Sequence, residues 1–218
     1  MENNSFNKEC IKEQFEDCEL VVRAKAIKAL IAERITRNNY TRDEVKDKYY
    51  QLGKARNISD GKEVTFYHGV FGKMYRKGGL FAQVVPVLNK LFENSLLAYS
   101  ETDDRTGTAR ADGTIHKERR NVKSYDNYVA KAAIDEKEYY VRFTVMNESD
   151  GKRGLHSSMV TNVVLYDETA NVASASTTTG GRLDIDGIVD AKLKQFFESA
   201  RESEVKFSNT LQQFGQKD

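Results

Sequence analysis

Two runs of alternating residues, joined by a short polar turn, constrain this chain more than any other feature. In 125–134, Tyr128, Ala130, Ala132 and Ile134 recur at every second position. In 139–145, Tyr139, Val141, Phe143 and Val145 do the same, with Tyr140, Arg142 and Thr144 between them. A period of two marks a β-strand with two distinct faces. "DEK" between the runs predicts a tight hairpin, and "NESDGKRG" (147–154) predicts a second turn leading into a third run, 155–166. "SLLAYSE" (95–101) is strand-like as well. "LFAQVVPVLNKLFEN" (80–94) puts Leu80, Val84, Leu88 and Leu91 on one helical face, and Pro86 within it predicts a kink or a late helix start. The fold class is α+β: an antiparallel four-stranded meander, 95–101, 125–134, 138–146 and 155–165, packed on a helix.

Helical additions flank this centre. Phe15, Val21, Val22, Ile27, Leu30, Ile31 and Ile35 predict a helix over 8–37, and the capping box "TRDE" (41–44) starts a second one running to about Arg56. "EVTFYHGVFGKMYRKGG" reads as a short strand or turn followed by a short helix. "TANVASASTTTGG" (169–181) has linker composition. "DGIVDAKLKQFFESAR" (186–201) is an amphipathic helix striped by Ile188, Leu193, Phe196 and Phe197, and the tail "VKFSNTLQQFGQKD" reads as loose. The expected division is 1–60 (helical N-terminal segment), 61–168 (α+β domain) and 169–218 (linker, helix and tail).

Charge excludes some functions. Thirty-four basic and 33 acidic side chains nearly cancel in 218 residues, so a nucleic-acid site would have to be a local patch. Cys10 and Cys18 make no zinc knuckle, and no metal or cofactor site is expected. The opening residues lack the apolar core of a signal peptide, and no apolar run approaches membrane-spanning length, so the expected location is cytoplasmic, with no membrane partner. The local patch exists in sequence. Arg105, Arg110, Lys117, Arg119, Arg120 and Lys123 outnumber Asp112 and Glu118 by four in a long loop expected over 102–123, with Tyr125 and Tyr128 beside it. Such a segment either contacts RNA or an acidic protein face, or is a solvated connector.

Three segments carry a family resemblance: "LFAQVVPVLNKLFENSLLAYSETDD", "YVAKAAIDEKEYYVRFTVMNESDGKRGLHS" and "FYHGVFGKMY", with the terminal "EVKFSN" similar to short "KFS" segments of polyproteins. From about Lys62 to Leu165 the chain resembles the third of the large polyvalent protein-associated domains of phages and conjugative elements. The resemblance implies an α+β domain similar to the barnase–EndoU–colicin–RelE nucleases, in the cytoplasm of a bacterial host. At the two positions where the family pattern carries histidines, this chain has Asp126 and Ser158; His116 and His156 are displaced from them. A metal-independent ribonuclease needs a base, an acid and a cation, for which His156, His68, Arg142 and Tyr140 are the candidates; His68, between aromatics and beside a glycine, reads first as a hydrogen-bonded turn residue. Two functions follow as expectations. One is a phage or mobile-element accessory protein whose nuclease-like domain is non-catalytic and binds a host protein or ribonucleoprotein, as an anti-CRISPR-type inhibitor of a defence nuclease would, with RNA as a further partner. The other is a metal-independent endoribonuclease or toxin. For the binding function the contact residues are Arg105, Arg110, Lys117, Arg119, Arg120, Lys123 and Tyr125.

Overall fold

A computed structural model describes residues 3–76, 79–102, 122–162 and 190–214. The chain divides into two units, one made of Met1–Leu30 with Asp190–Asp218 and the other of Ile31–Val189. Residues 31–60, read from sequence with the N-terminal helical segment, therefore belong with the sheet.

In the first unit, α1 (Asn3–Lys28) meets α6 (Ala191–Phe214). Asp17 accepts a hydrogen bond from the Ser203 hydroxyl at 2.7 Å, and Lys25 Nζ lies 2.6 Å from Glu204. Asp190 caps α6, its Oδ1 accepting from the amides of Lys192 and Leu193 at 3.2 and 3.3 Å. Ala24, Ile27, Leu193, Phe196 and Ala200 are buried. The segment from Val205 to Phe214, expected to be loose, is the last part of α6. Its apolar residues recur at helical spacing, but its polarity hid them.

The second unit is α+β, and among the described residues its sheet has seven strands rather than the four-stranded meander expected. The long strands are β4 (Leu96–Glu101), β5 (Val122–Ile134), β6 (Lys137–Glu148) and β7 (Arg153–Asn162), each antiparallel to the next. Three short strands extend them: β1 (Glu33–Ile35), parallel to the end of β5, and the antiparallel pair β2 (Lys54–Arg56) and β3 (Glu63–Thr65), which joins β7 through Thr65 and Gly154. The helix expected over 8–37 thus ends at Lys28, because Glu33–Ile35 finds hydrogen-bond partners along Ala132–Ile134. The second expected helix, α2 (Arg42–Tyr50), stops before β2; Gly53, at φ +63°, takes the left-handed conformation that ends it. Its capping box is formed: the Glu44 amide donates to Thr41 Oγ1 at 3.3 Å and the Thr41 amide to Glu44 Oε2 at 2.7 Å. Pro86 breaks the 80–94 helix as its missing N–H requires, into α4 (Gly79–Val84), a 3-10 turn (Val85–Val87) and α5 (Leu88–Glu93). After β3, a 3-10 turn (His68–Val70) and α3 (Phe71–Tyr75) complete the helical layer. The linker expected at 169–181 lies outside the described residues.

One face of the sheet forms the core. Tyr128, Ala130, Ala132 and Ile134 of β5, Tyr139, Val141, Phe143 and Val145 of β6 and Leu155 of β7 pack with Val45, Tyr49, Met74, Phe81, Leu88 and Phe92 from the helices. Phe92 anchors it, with ring contacts to Tyr128 at 5.3 Å, Phe143 at 5.5 Å and Phe66 at 6.4 Å. The β5–β6 turn places Asp135 and Glu136 at φ 49° and 66°, a left-handed pair that suits the twist of a two-residue hairpin. Asp135 has an evident reason to be there: its carboxylate takes Arg37 Nε at 2.7 Å, tying the chain after β1 to the turn. Glu136 has none, and a side chain at positive φ costs about 1 kcal/mol. Glu136→Gly is therefore expected to stabilise the protein by about 0.5–1 kcal/mol, read as a raised urea midpoint at unchanged slope.

Candidate functional site

Alternation along β5 and β6 sends every second residue to the face away from the core. That second face is polar, yet buried. Tyr125, Asn127, Lys131, Tyr140, Arg142, Thr144 and Ser157 are all within 9 % of full burial. A buried guanidinium needs oxygens around it. Arg142 Nη1 donates to Asn127 Oδ1 at 2.6 Å and to Thr144 Oγ1 at 2.7 Å, and Thr144 Oγ1 donates on to Asn127 Oδ1 at 3.0 Å. Asn127 Nδ2 has no hydrogen-bond partner among the described residues. Lys131 lies 3.9 Å from Glu138 and 5.8 Å above the Tyr140 ring. Burial, aided by the Glu138 charge, pushes the Tyr140 phenol up to about 12, so near neutrality it keeps its proton and can donate but not accept one as a base.

His156 stands where β7 departs from regular pairing with β6, between Leu155 (opposite Val145) and Ser157 (opposite Thr144). Its Nε2 is 2.8 Å from Lys73 Nζ of α3, and its ring meets Tyr125 edge-on at 5.3 Å. An ammonium can only donate, so in this contact Nε2 accepts and the ring proton sits on Nδ1. Three of the four candidate catalytic residues, His156, Arg142 and Tyr140, thus lie on strands β6 and β7, which help form this polar face. His68 is elsewhere. It stacks on Tyr50 with ring centroids 4.0 Å apart, and its Nε2 is 3.1 Å from the Tyr50 carbonyl oxygen, the turn-histidine reading. Of the binding residues, Arg105, Arg110, Lys117, Arg119 and Arg120 lie outside the described residues, as does His116. Lys123, expected in the loop, is an exposed residue of β5, because the strand starts at Val122. Tyr125 is 3 % exposed and packs beside His156, so it offers no open stacking face of the kind the sequence suggested.

Sequence reasoning missed a second cluster, on the core side at the end of the sheet. Asp126 accepts from the Ser100 hydroxyl at 2.7 Å and from Arg153 Nη1 at 3.0 Å, with Lys62 Nζ at 3.8 Å. Arg153 Nη2 donates to the Tyr128 hydroxyl at 2.9 Å, which donates to Asp60 Oδ2 at 2.6 Å, and Lys62 Nζ is 3.7 Å from the same oxygen. Two carboxylates and two cations close on one phenol. Burial alone would raise the Asp126 carboxyl. Hydrogen bonds from Ser100 and Asn147, with the charges of Arg153 and Lys62, outweigh it and hold the group below its ordinary value. Burial, and the hydrogen bond to Asp60, raise the Tyr128 phenol well above its own. Ser158 is 1 % exposed, and its amide and hydroxyl point at Met74 Sδ at 3.1 and 3.4 Å. Among the described residues no group of His, Cys, Asp and Glu side chains is placed to hold a metal ion, and no helix is long and apolar enough to cross a membrane.

A carboxyl held low in the folded state contributes stability that is complete above its unfolded value, about 3.9, and is lost as pH falls through the lower folded value. Asp126→Asn should therefore cost on the order of 2 kcal/mol at neutral pH, by leaving Arg153 without its carboxylate. It should also flatten the acid limb of the stability curve, as urea titrations from neutral pH to below 3 would show.

The family profile of Large polyvalent protein-associated domain 3 matches residues 32–155. The matched span begins beside β1 and takes in Asp60, Lys62, Asp126, Tyr128 and Arg153, as well as Asn127, Arg142 and Thr144, and ends one residue before His156. No curated protein matches the chain, and no solved structure matches it, the nuclease folds included. The match covers more than half of the sequence, so the chain belongs to the large polyvalent protein-associated domain 3 family, a phage-associated domain of polyvalent proteins.

Proposed function

We propose that this domain acts by binding rather than by chemistry, as an accessory module of a phage-associated polyvalent protein that engages a host protein or ribonucleoprotein complex. The carrying observation is how the polar side chains are committed: Asp126 is bound into the Arg153–Tyr128–Asp60 cluster, and Ser158, beyond the span the family matches, is packed against Met74. Neither is presented as a proton carrier to a substrate. Tyr140, with its phenol at about 12, is a poor base, and His68 is spent on Tyr50. The near-zero net charge fits a specific partner better than general RNA binding. The contact surface in this reading includes the basic segment carrying Arg105, Arg110, Lys117, Arg119, Arg120 and Lys123. A host defence nuclease complex is a fitting partner class because a ribonucleoprotein offers such a segment both carboxylates and phosphates.

One observation favours the second reading, a metal-independent endoribonuclease: the His156–Lys73–Tyr125 group combines a histidine, a cation and a phenol. Incubating the purified protein with total RNA in EDTA separates the two. No cleavage is expected. Cleavage that disappears in His156→Ala would replace the binding reading with the ribonuclease.

Arg119→Glu with Arg120→Glu should leave thermal stability unchanged and weaken capture of the host partner by at least about tenfold. Retention of the partner after nuclease treatment would identify protein as the contact. Loss on nuclease treatment, with a steep salt dependence that the double variant lacks, would identify RNA.

A further inference from the structure

The face of α1 turned toward α6 is occupied; the face opposite it is apolar and open. Asp17, Leu20, Val21, Ala24 and Ile27 are partly or fully buried, whereas Phe15 is 70 % exposed, Val22 is 60 % exposed, and Cys18, Ala26 and Ala29 are exposed with them. These five follow one another at intervals of three and four residues, the spacing of a coiled-coil seam. Single exposed apolar side chains are ordinary on a protein surface. A stripe along one side of one helix is a contact face.

We propose that this stripe pairs, antiparallel, with the α1 stripe of a second copy of the chain, about a two-fold axis near residues 20 and 21. Two independent features select that occupant and that register. The first is size. The stripe is bulky at Phe15 and small at Ala26, so an antiparallel copy seats each Phe15 over the other chain's Ala26 and sets Cys18 against Val22. A parallel copy would crowd two phenylalanines at one end and leave a gap at the other. The second is charge. One edge of the stripe carries Glu16 and Glu19 and then, a turn later, Arg23, and Glu19 already pairs with Arg23 within the helix. The axis that matches the sizes also brings Glu19 of each copy opposite Arg23 of the other. Two pairs then close into a ring of alternating charge, whereas in a parallel copy this edge would face the other edge of its partner and the match would not form. A two-fold pairing of identical helices is also the simplest closed association for a single chain. The contact is small, so the dimer is weak and builds up only with concentration.

Sedimentation velocity on the 218-residue chain tests this. The expected result is a monomer–dimer equilibrium with half-association on the order of 10 µM. Phe15→Ser with Val22→Ser should shift that midpoint upward by more than about tenfold, with an unchanged far-ultraviolet circular dichroism spectrum, both residues being exposed. Glu19→Arg should weaken association, and Glu19→Arg with Arg23→Glu should restore it. For the register, a Cys10→Ser protein should form little disulfide-linked dimer through Cys18 alone and much when Val22→Cys is added. A monomer up to about 200 µM, a value far above the expected midpoint, overturns the proposal. So does a dimer indifferent to Phe15→Ser with Val22→Ser, and so does ready cross-linking through Cys18 alone.

Discussion

The ladder between β5 and β6 is the interaction on which the rest of the second unit depends. It runs from Val122 opposite Glu148 to Ile134 opposite Lys137, and its alternation assigns each residue to one of two buried faces. Phe143 and Tyr128 go to Phe92, while Arg142, Thr144 and Asn127 go to one another. A slip of one residue would exchange the two sets and drive a guanidinium into an aromatic cluster, which costs several kcal/mol. Since neither face of these strands is free to tolerate the error, the register is doubly specified. The left-handed Asp135–Glu136 turn fixes it at one end, and the Asp126–Arg153 contact ties β5 to β7 across it at the other.

What was legible in the sequence follows from the same physics. The long strands, the Pro86 break and the Thr41–Glu44 cap could be read because each is set by neighbours in sequence: a period, a missing N–H, a side chain reaching three residues along. The three-residue strands β1, β2 and β3 could not be, because what makes them strands is a partner far along the chain, Ala132–Ile134 for β1 and Gly154 for β3. Gly154 is itself a packing requirement, since a Cβ there would lie 1.9 Å from the Tyr67 ring. Likewise the polar face was half readable. Parity alone puts Tyr140, Arg142 and Thr144 together, but His156 joins the neighbourhood of Tyr125 and Lys73 only through an irregularity in β7 that no pattern announces. The Asp60–Tyr128–Arg153–Asp126 cluster gathers residues from the β2–β3 turn, β5 and β7, so nothing local marked it.

The two polar groupings differ in kind. The cluster at the sheet end is self-neutralising, two carboxylates against two cations, and reads as a clamp that holds the turn between β2 and β3 onto β5 and β7. The grouping on the other face sets Lys131 and Arg142 against Glu138 and the neutral oxygens of Asn127 and Thr144. A buried face with that balance favours anionic or acceptor-rich groups nearby, a property that suits recognition as well as catalysis.

The division into units has a consequence for how the protein is made. α1 leaves the ribosome before α6, its partner in the first unit, which follows only after the whole of Ile31–Val189 has been synthesised. At translation rates of roughly 5–20 residues per second, that interval is on the order of ten seconds or more, far longer than a mixed α/β domain needs to fold. The sheet can therefore be complete while α1 still lacks its mate. During that time the surfaces of α1 that later face α6 are open to chaperones, or to another nascent chain of the same message.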